Sequence, residues 1–185
     1  KSEVVQVIGT KFVLFKQKKK DSQTGSTPQG NATLAGAVYQ VSYQKGGQTV
    51  TEELTSDASG NLGTLEGLPL GTVTVKELTA PEGYRLDTDV HTYTVDGSQL
   101  TGDVYELEVD DLTEDVMRGG LSIQKLDSQT GTTPQGDASL EGIQFEIVNQ
   151  STNPVVVNGS TAQPGQVAMT ITTNASGVAT TGESA

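Results

Sequence analysis

The sequence predicts an all-β protein built as two tandem antiparallel β-sandwiches with Greek-key links, the second of them incomplete. Three observations carry this reading. The chain is rich in Thr, Val and Gly and poor in helix formers, which suits pleated, half-buried strands. Short runs of strand-forming residues recur between Gly, Pro, Asn and Asp, the residues that turns require. The phrase DSQTGSTPQG at Asp21 to Gly30 also returns as DSQTGTTPQG at Asp127 to Gly136, and twelve of the sixteen positions from Asp21 to Gly36 are identical in the second copy.

In the first copy the strands are expected at Lys11 to Gln17, Ala37 to Tyr43, Thr49 to Thr55, Thr72 to Leu78, His91 to Val95 and Val104 to Asp110. Strands this short and this closely spaced point to a sandwich, and no helical period runs long enough to compete. In the second copy IQFEI stands where the first has AVYQV, and NASG at Asn174 to Gly177 matches DASG at Asp57 to Gly60. Upstream, a gapped alignment sets Phe12, Leu14 and Lys16 against Leu121, Ile123 and Lys125. The ungapped alternative sets Lys19 against Lys125. The gapped version is preferred because it keeps apolar residues two apart and treats Lys18 to Lys20 as a local extension. The domain reading is a linker or the end of a preceding domain at 1–10, a sandwich at 11–117 and a second at 118–185. From Gly60 the first copy runs another 51 residues to Asp111, whereas 8 follow Gly177, so the second unit is expected to lack its last strands and to expose sheet edges.

Composition narrows the function. A formal charge of -12 repels phosphate backbones and anionic lipid, which argues against nucleic-acid and membrane-surface roles. No apolar run approaches a membrane span, and the N-terminus has no signal pattern, so the chain reads as cytosolic or as a mature, excised piece. With no cysteine, disulfides and thiolate metal sites are ruled out, and an extracellular protein of this type needs another device for durability. No cofactor or metal is expected. His91 has no second histidine or cysteine to join it, and DASGN lacks the terminal bidentate glutamate of a calcium loop and reads as a hairpin turn. LPLGT at Leu68 to Thr72 reads as a turn into a strand. The basic run Lys16 to Lys20 reads as a strand end, and the Asn-x-Ser/Thr triplets at Asn31, Asn158 and Asn174 as turn asparagines.

VKELTAPEGY at Val75 to Tyr84, together with the opening K..D..TG, with LAGAVYQV and with the join EDVMRGGLSIQKLD, resembles the Cna B-type, prealbumin-like (SpaA-type) repeats of Gram-positive surface adhesins and pilins. The resemblance covers about Lys11 to Asp111, and the second copy from about Arg118. It implies a structural stalk segment of a cell-wall-attached, extracellular protein. Its partners would be neighbouring repeats, and host matrix protein or other pilin subunits. Many members of that family form a spontaneous amide between a lysine of the first strand and an Asn or Asp of the last, assisted by the glutamate of E..AP.GY. Carried onto this chain, the glutamate is Glu77. Lys16 is taken as the lysine, since its parity with Phe12 and Leu14 points it at the core, with Lys19 as the alternative. Asp111 is taken as the acceptor, continuing the face of Tyr105, Leu107 and Val109, with Asp110 as the alternative if a bulge intervenes. Lys125 is the matching lysine of the second unit, for which no glutamate or acceptor can be named.

The residue types make chemical sense. Burial disfavours the ammonium and leaves a nucleophilic amine, and it likewise favours a protonated carboxyl able to shuttle a proton. The folded core supplies proximity, so this is single-turnover chemistry rather than enzymology. By analogy with a disulfide closing a loop of this length, the bond adds on the order of 4 kcal/mol. A different class of function, a ligand-binding module for matrix protein or glycan on the same sandwich, is less well served by a chain with 4% aromatic residues and no Trp.

Overall fold

The computed structural model describes residues 12–96, 104–107 and 111–182, and among these there is no helix. The chain divides into two units: Lys1–Ser26 with Thr33–Asp115, and Thr27–Ala32 with Val116–Ala185. The break after Asp115 lies two residues before the expected boundary. That Thr27–Ala32, inside the repeated phrase, belongs to the second unit was not anticipated.

Unit 1 is a sandwich of β1 (Phe12–Asp21), β2 (Val38–Lys45), β3 (Gln48–Thr55), β4 (Asn61–Glu66), β5 (Gly71–Thr79), β6 (Val90–Val95), β7 (Val104–Leu107) and β8 (Leu112–Glu114). One sheet has the order β3-β2-β5-β6, antiparallel throughout. In the other, β4 pairs antiparallel with β1, while β7 and then β8 run parallel beside successive stretches of β1. The core lies between the sheets because alternation sends every second side chain inward. Tyr39, Val41 and Tyr43 of β2 and Val73 and Val75 of β5 pack there with Leu62, Leu65, Val95 and Leu112. The same parity on β5 carries Glu77 into the buried face, two residues beyond Val75.

The first strand departs from expectation. It runs to Asp21 rather than Gln17, so Lys18 to Lys20 belong to the strand itself. The register against β4 slips between Lys16 and Lys18, and the residues that face inward are Gln17, Lys19 and Asp21.

Unit 2 is made of β9 (Ser122–Gln124), β10 (Gln144–Val148), β11 (Val155–Val157), β12 (Ser160–Ala162), β13 (Val167–Thr172) and β14 (Val178–Thr180), paired as β9 with β14, β10 with β13, and β11 with β12. The β9/β14 and β10/β13 ladders repeat β1/β4 and β2/β3. Where β2 turns into β3 through Gly46 and Gly47, unit 2 inserts the β11/β12 hairpin, whose Asn158-Gly159 turn has both residues at positive φ, 49° and 76°. Among the described residues β10 pairs with β13 alone, whereas β2 pairs with both β3 and β5.

Shared details fix the alignment of the copies. In unit 1 the buried Ser56 hydroxyl donates to the Leu34 carbonyl (2.6 Å) and accepts from the Ala37 N–H (2.9 Å); in unit 2 Thr173 does the same with Leu140 and Ile143 at the same distances. Lys19 N–H donates to the Gly60 carbonyl as Lys125 N–H does to that of Gly177. Lys125 therefore corresponds to Lys19, and the gapped alignment that paired it with Lys16 is corrected.

The repeated phrase is also a turn with a mechanism. The Asp21 carboxylate accepts the N–H groups of Gln23 and Thr24, both at 2.9 Å, and Asp127 accepts those of Gln129 and Thr130 at 2.9 and 3.0 Å. The Gln135 side chain adds a third donor to Asp127 at 2.9 Å. These hydrogen bonds favour the charged form and hold the Asp127 carboxyl down to about 2, against an ordinary 3.8. Because the folded value lies below the unfolded one, the turn's contribution is present above pH 3.8 and is lost as pH falls through about 2. An NMR titration of Asp127 is expected to show its midpoint at about 2, and an ordinary midpoint would mean that the turn is not held this way.

Candidate functional site: a buried lysine between two glutamates

Glu77, brought inward by β5, meets a lysine carried by β1 and a second glutamate carried by β8. The lysine is Lys19. It is fully buried, and its Nζ lies 3.6 Å from Glu77 Oε1 and in contact with Glu114 Oε1. β8 runs parallel to β1 with Lys19 beside Leu112 and Asp21 beside Glu114, and its alternation buries Leu112 and Glu114 while exposing Thr113. The first and last strands of unit 1 thus meet at an amine and a carboxyl.

Each charged group has further partners. Glu77 Oε2 accepts the backbone N–H of Asp87 at 2.8 Å, and Glu114 Oε1 accepts the hydroxyl of Tyr39, a fully buried residue of β2, at 2.8 Å. The Tyr84 ring, from the APEGY segment, lies 5.4 Å from Lys19 Nζ, and its hydroxyl donates to Asp21 Oδ2 at 2.9 Å. Outside this shell, Asp87 pairs with His91 at 2.7 Å. Although burial works to raise it, the His91 hydrogen bond and the Asp89 N–H hold the Asp87 carboxyl below its ordinary value.

Burial lowers the Lys19 ammonium to about 8, against the opposing pull of Glu77, Asp87 and Asp21. At neutral pH the free amine is thus far more accessible than for an ordinary lysine. Tyr39 moves the other way. Burial, with Glu77 nearby, pushes its phenol far above the ordinary range, so it keeps its proton at any working pH.

The residues singled out from sequence separate accordingly. Lys16 is exposed, so its assignment to the core face is corrected: the inward parity of β1 is that of Gln17, Lys19 and Asp21. Asp111 is exposed and pairs with Lys20 at the surface, and the inward face continues instead through Leu112 and Glu114. Asp110 lies outside the described residues. Lys19, named as the alternative lysine, and Glu77 are together. Lys125 in unit 2 is half-buried and its Nζ donates to the Leu126 carbonyl at 3.0 Å. Sequence reasoning missed Glu114, Tyr39 and Asp21. The signal for Glu114 was its two-residue spacing from Leu112 in an acidic stretch.

The arrangement holds an amine with a lowered proton affinity, a carboxyl in contact with it and a second carboxyl oxygen 3.6 Å away. Among the described residues there is no group of three or more His, Cys, Asp or Glu side chains suited to a metal ion, and no helix long and apolar enough to cross a membrane.

A profile of the SpaA prealbumin-like fold domain matches residues 14–110, just over half of the chain. Among solved structures, the Bacillus anthracis TIE protein is similar at 25% identity with a TM-score of 0.58, over 92% of this chain and 26% of its own. BcpA, the major pilin subunit of Bacillus cereus, is similar at 22% identity and a TM-score of 0.43, over 64% of this chain and 32% of its own. The group B streptococcus pilus 2b backbone protein follows at 21% and 0.40, over 55% and 41%. The chain thus spans between about a quarter and two fifths of the length of these three proteins. No curated protein matches it.

Proposed function

Since the chain belongs to the family of SpaA prealbumin-like fold domains, we propose that it is a shaft segment of an extracellular, cell-wall-attached Gram-positive surface protein, locked by an amide between Lys19 and Glu114. The observation that carries the reading is the burial of Lys19 between the carboxylates of β5 and β8. Support also comes from the tandem repeat and from a chain with no cysteine for disulfides. The partners of such a segment are the neighbouring repeats and the other subunits or matrix proteins its parent meets.

In the reaction the neutral Lys19 amine attacks the carboxyl carbon of Glu114 in its protonated form. Glu77 takes a proton from the nitrogen and returns it to the departing hydroxyl, so that one C–N bond forms, one C–O bond breaks and water leaves. The chemistry happens once per molecule. The fold supplies proximity, and the product joins the first strand to the last.

Intact mass spectrometry tests this. The mature protein is expected to be one water lighter than its sequence, with the cross-linked peptide joining Lys19 to Glu114. The Glu77→Ala variant is expected at full mass. A wild-type protein at full mass would sink the covalent reading and leave a buried ion cluster.

A further inference from the structure

The proton shuttle leaves one demand of the reaction unmet. As Lys19 attacks, a carboxyl oxygen of Glu114 becomes an oxyanion inside a pocket from which water is excluded, and a negative charge there is costly unless a donor already faces it. Glu77 cannot serve, because before it takes the nitrogen's proton it is a carboxylate that repels an oxyanion, and afterwards that proton is committed to the departing hydroxyl. The Asp87 N–H is committed to Glu77 Oε2. The donor that faces Glu114 is Tyr39, whose hydroxyl lies 2.8 Å from Oε1.

We infer that Tyr39 is a second catalytic residue, donating through its phenol to the Glu114 oxygen that carries the negative charge of the tetrahedral intermediate; this rests on the amide-forming reading above. Three features make the phenol suited to the task. It sits on the central β2, paired on both sides by β3 and β5, so the donor is held in place before the reaction begins. It is fully buried, so its hydrogen bond is not shared with solvent. It also keeps its proton when other groups titrate, so it donates throughout the range in which Lys19 is free to attack. It exchanges no proton with the reacting atoms. The hydrogen bond shortens as charge develops and relaxes when the hydroxyl of Glu114 leaves as water.

The same contact tells the two glutamates apart. The carboxyl under the phenol is polarised as an electrophile, while the carboxyl under the Asp87 peptide is held as the proton carrier. Which glutamate ends in the amide is therefore set by β2.

The test is the rate of the mass change in the whole chain, followed by intact mass spectrometry after freshly synthesised, urea-denatured protein is diluted into buffer. Tyr39→Phe keeps the ring and removes the donor, and is expected to slow the loss of water by on the order of 10²-fold or more. Tyr43→Phe, which removes a phenol bonded to Glu52 instead, is expected to keep the wild-type rate. If Tyr39→Phe loses water as fast as wild type, the assignment of Tyr39 is overturned while the amide reading stands. If wild type itself stays at full mass, both fall. Should circular dichroism show that Tyr39→Phe does not fold, a difluorinated tyrosine at the same position, a stronger donor of nearly the same shape, takes its place. A changed rate then supports the role, and an unchanged one overturns it.

Discussion

Replacing Lys19 by methionine is expected to leave the protein at full mass and to lower the stability of unit 1 by about 3–5 kcal/mol, relative to the chain in which the amide has not yet formed. The loss is large because Glu77 and Glu114 stay buried after their cation is gone. Denaturant unfolding would measure it. The triple variant K19M/E77L/E114L should recover part of the loss, since it removes the stranded carboxylates along with the ammonium. If K19M alone costs nothing, the cluster is not held together by its charges. The unlinked wild-type chain also has a pH signature. The folded Lys19 value, about 8, lies below the 10.5 of an ordinary lysine, so between these values the unfolded state binds the extra proton. Stability therefore rises with pH from about 8 to 10.5, and the penalty of burying the ammonium is fully present below that window. K19M and the linked protein should both lack this rise.

Gly60→Ala is expected to be comparably damaging, at about 3 kcal/mol or more. Gly60 sits at φ +79°, and a Cβ added there would lie 2.1 Å from the Lys19 carbonyl oxygen. That neighbour is backbone, so relief requires β1 and β4 to separate where the Lys19 N–H meets the Gly60 carbonyl at 2.7 Å. Gly63 provides the comparison, with φ +83° and nothing within 4 Å of an added Cβ. Gly63→Ala should cost only the conformational strain, about 1–3 kcal/mol. Equal losses in the two variants, measured by urea denaturation, would show that the close approach does not matter. Gly60→Ala should also slow amide formation, because it disturbs the strand that carries the nucleophile.

Much of this was legible from the residues, and the failures have physical causes. The strands of the β3-β2-β5-β6 sheet were readable because Tyr39, Val41 and Tyr43, and Val73 and Val75, alternate cleanly with polar neighbours. Glu77 was found through the resemblance carried by VKELTAPEGY, and the alternation of β5 is what buries it, two places beyond Val75. The first strand offered no such signal. Its apolar residues run contiguously from Phe12 to Phe15 and its lysines follow at 16, 18, 19 and 20, so parity could be counted either way. What settles it is the pairing of Lys19 with Leu112 and the register slip against β4, both properties of two distant segments brought side by side. Glu114 was one of several acidic residues in a short stretch, and pairing of the last three residues of β1 with β8 singles it out. For Tyr39 the alternation showed a core aromatic, but the direction of its hydroxyl depends on where β8 lies. The repeated phrase held the better ruler, since Lys19 and Lys125 each stand two residues before its aspartate without any gap.

The parallel course of β8 beside β1 bears on how unit 1 would answer to tension. In a hairpin the two chain ends leave from the same end of the ladder, and pulling on them peels its hydrogen bonds one at a time. With the first and last strands parallel, the entry to β1 and the exit from β8 lie at opposite ends, so a pull loads the intervening bonds together, in shear. A covalent rung between Lys19 and Glu114 would lie across that shear plane. Force entering through the first strand would then leave through the last without the sheet having to slip, and the rest of the sandwich would be bypassed.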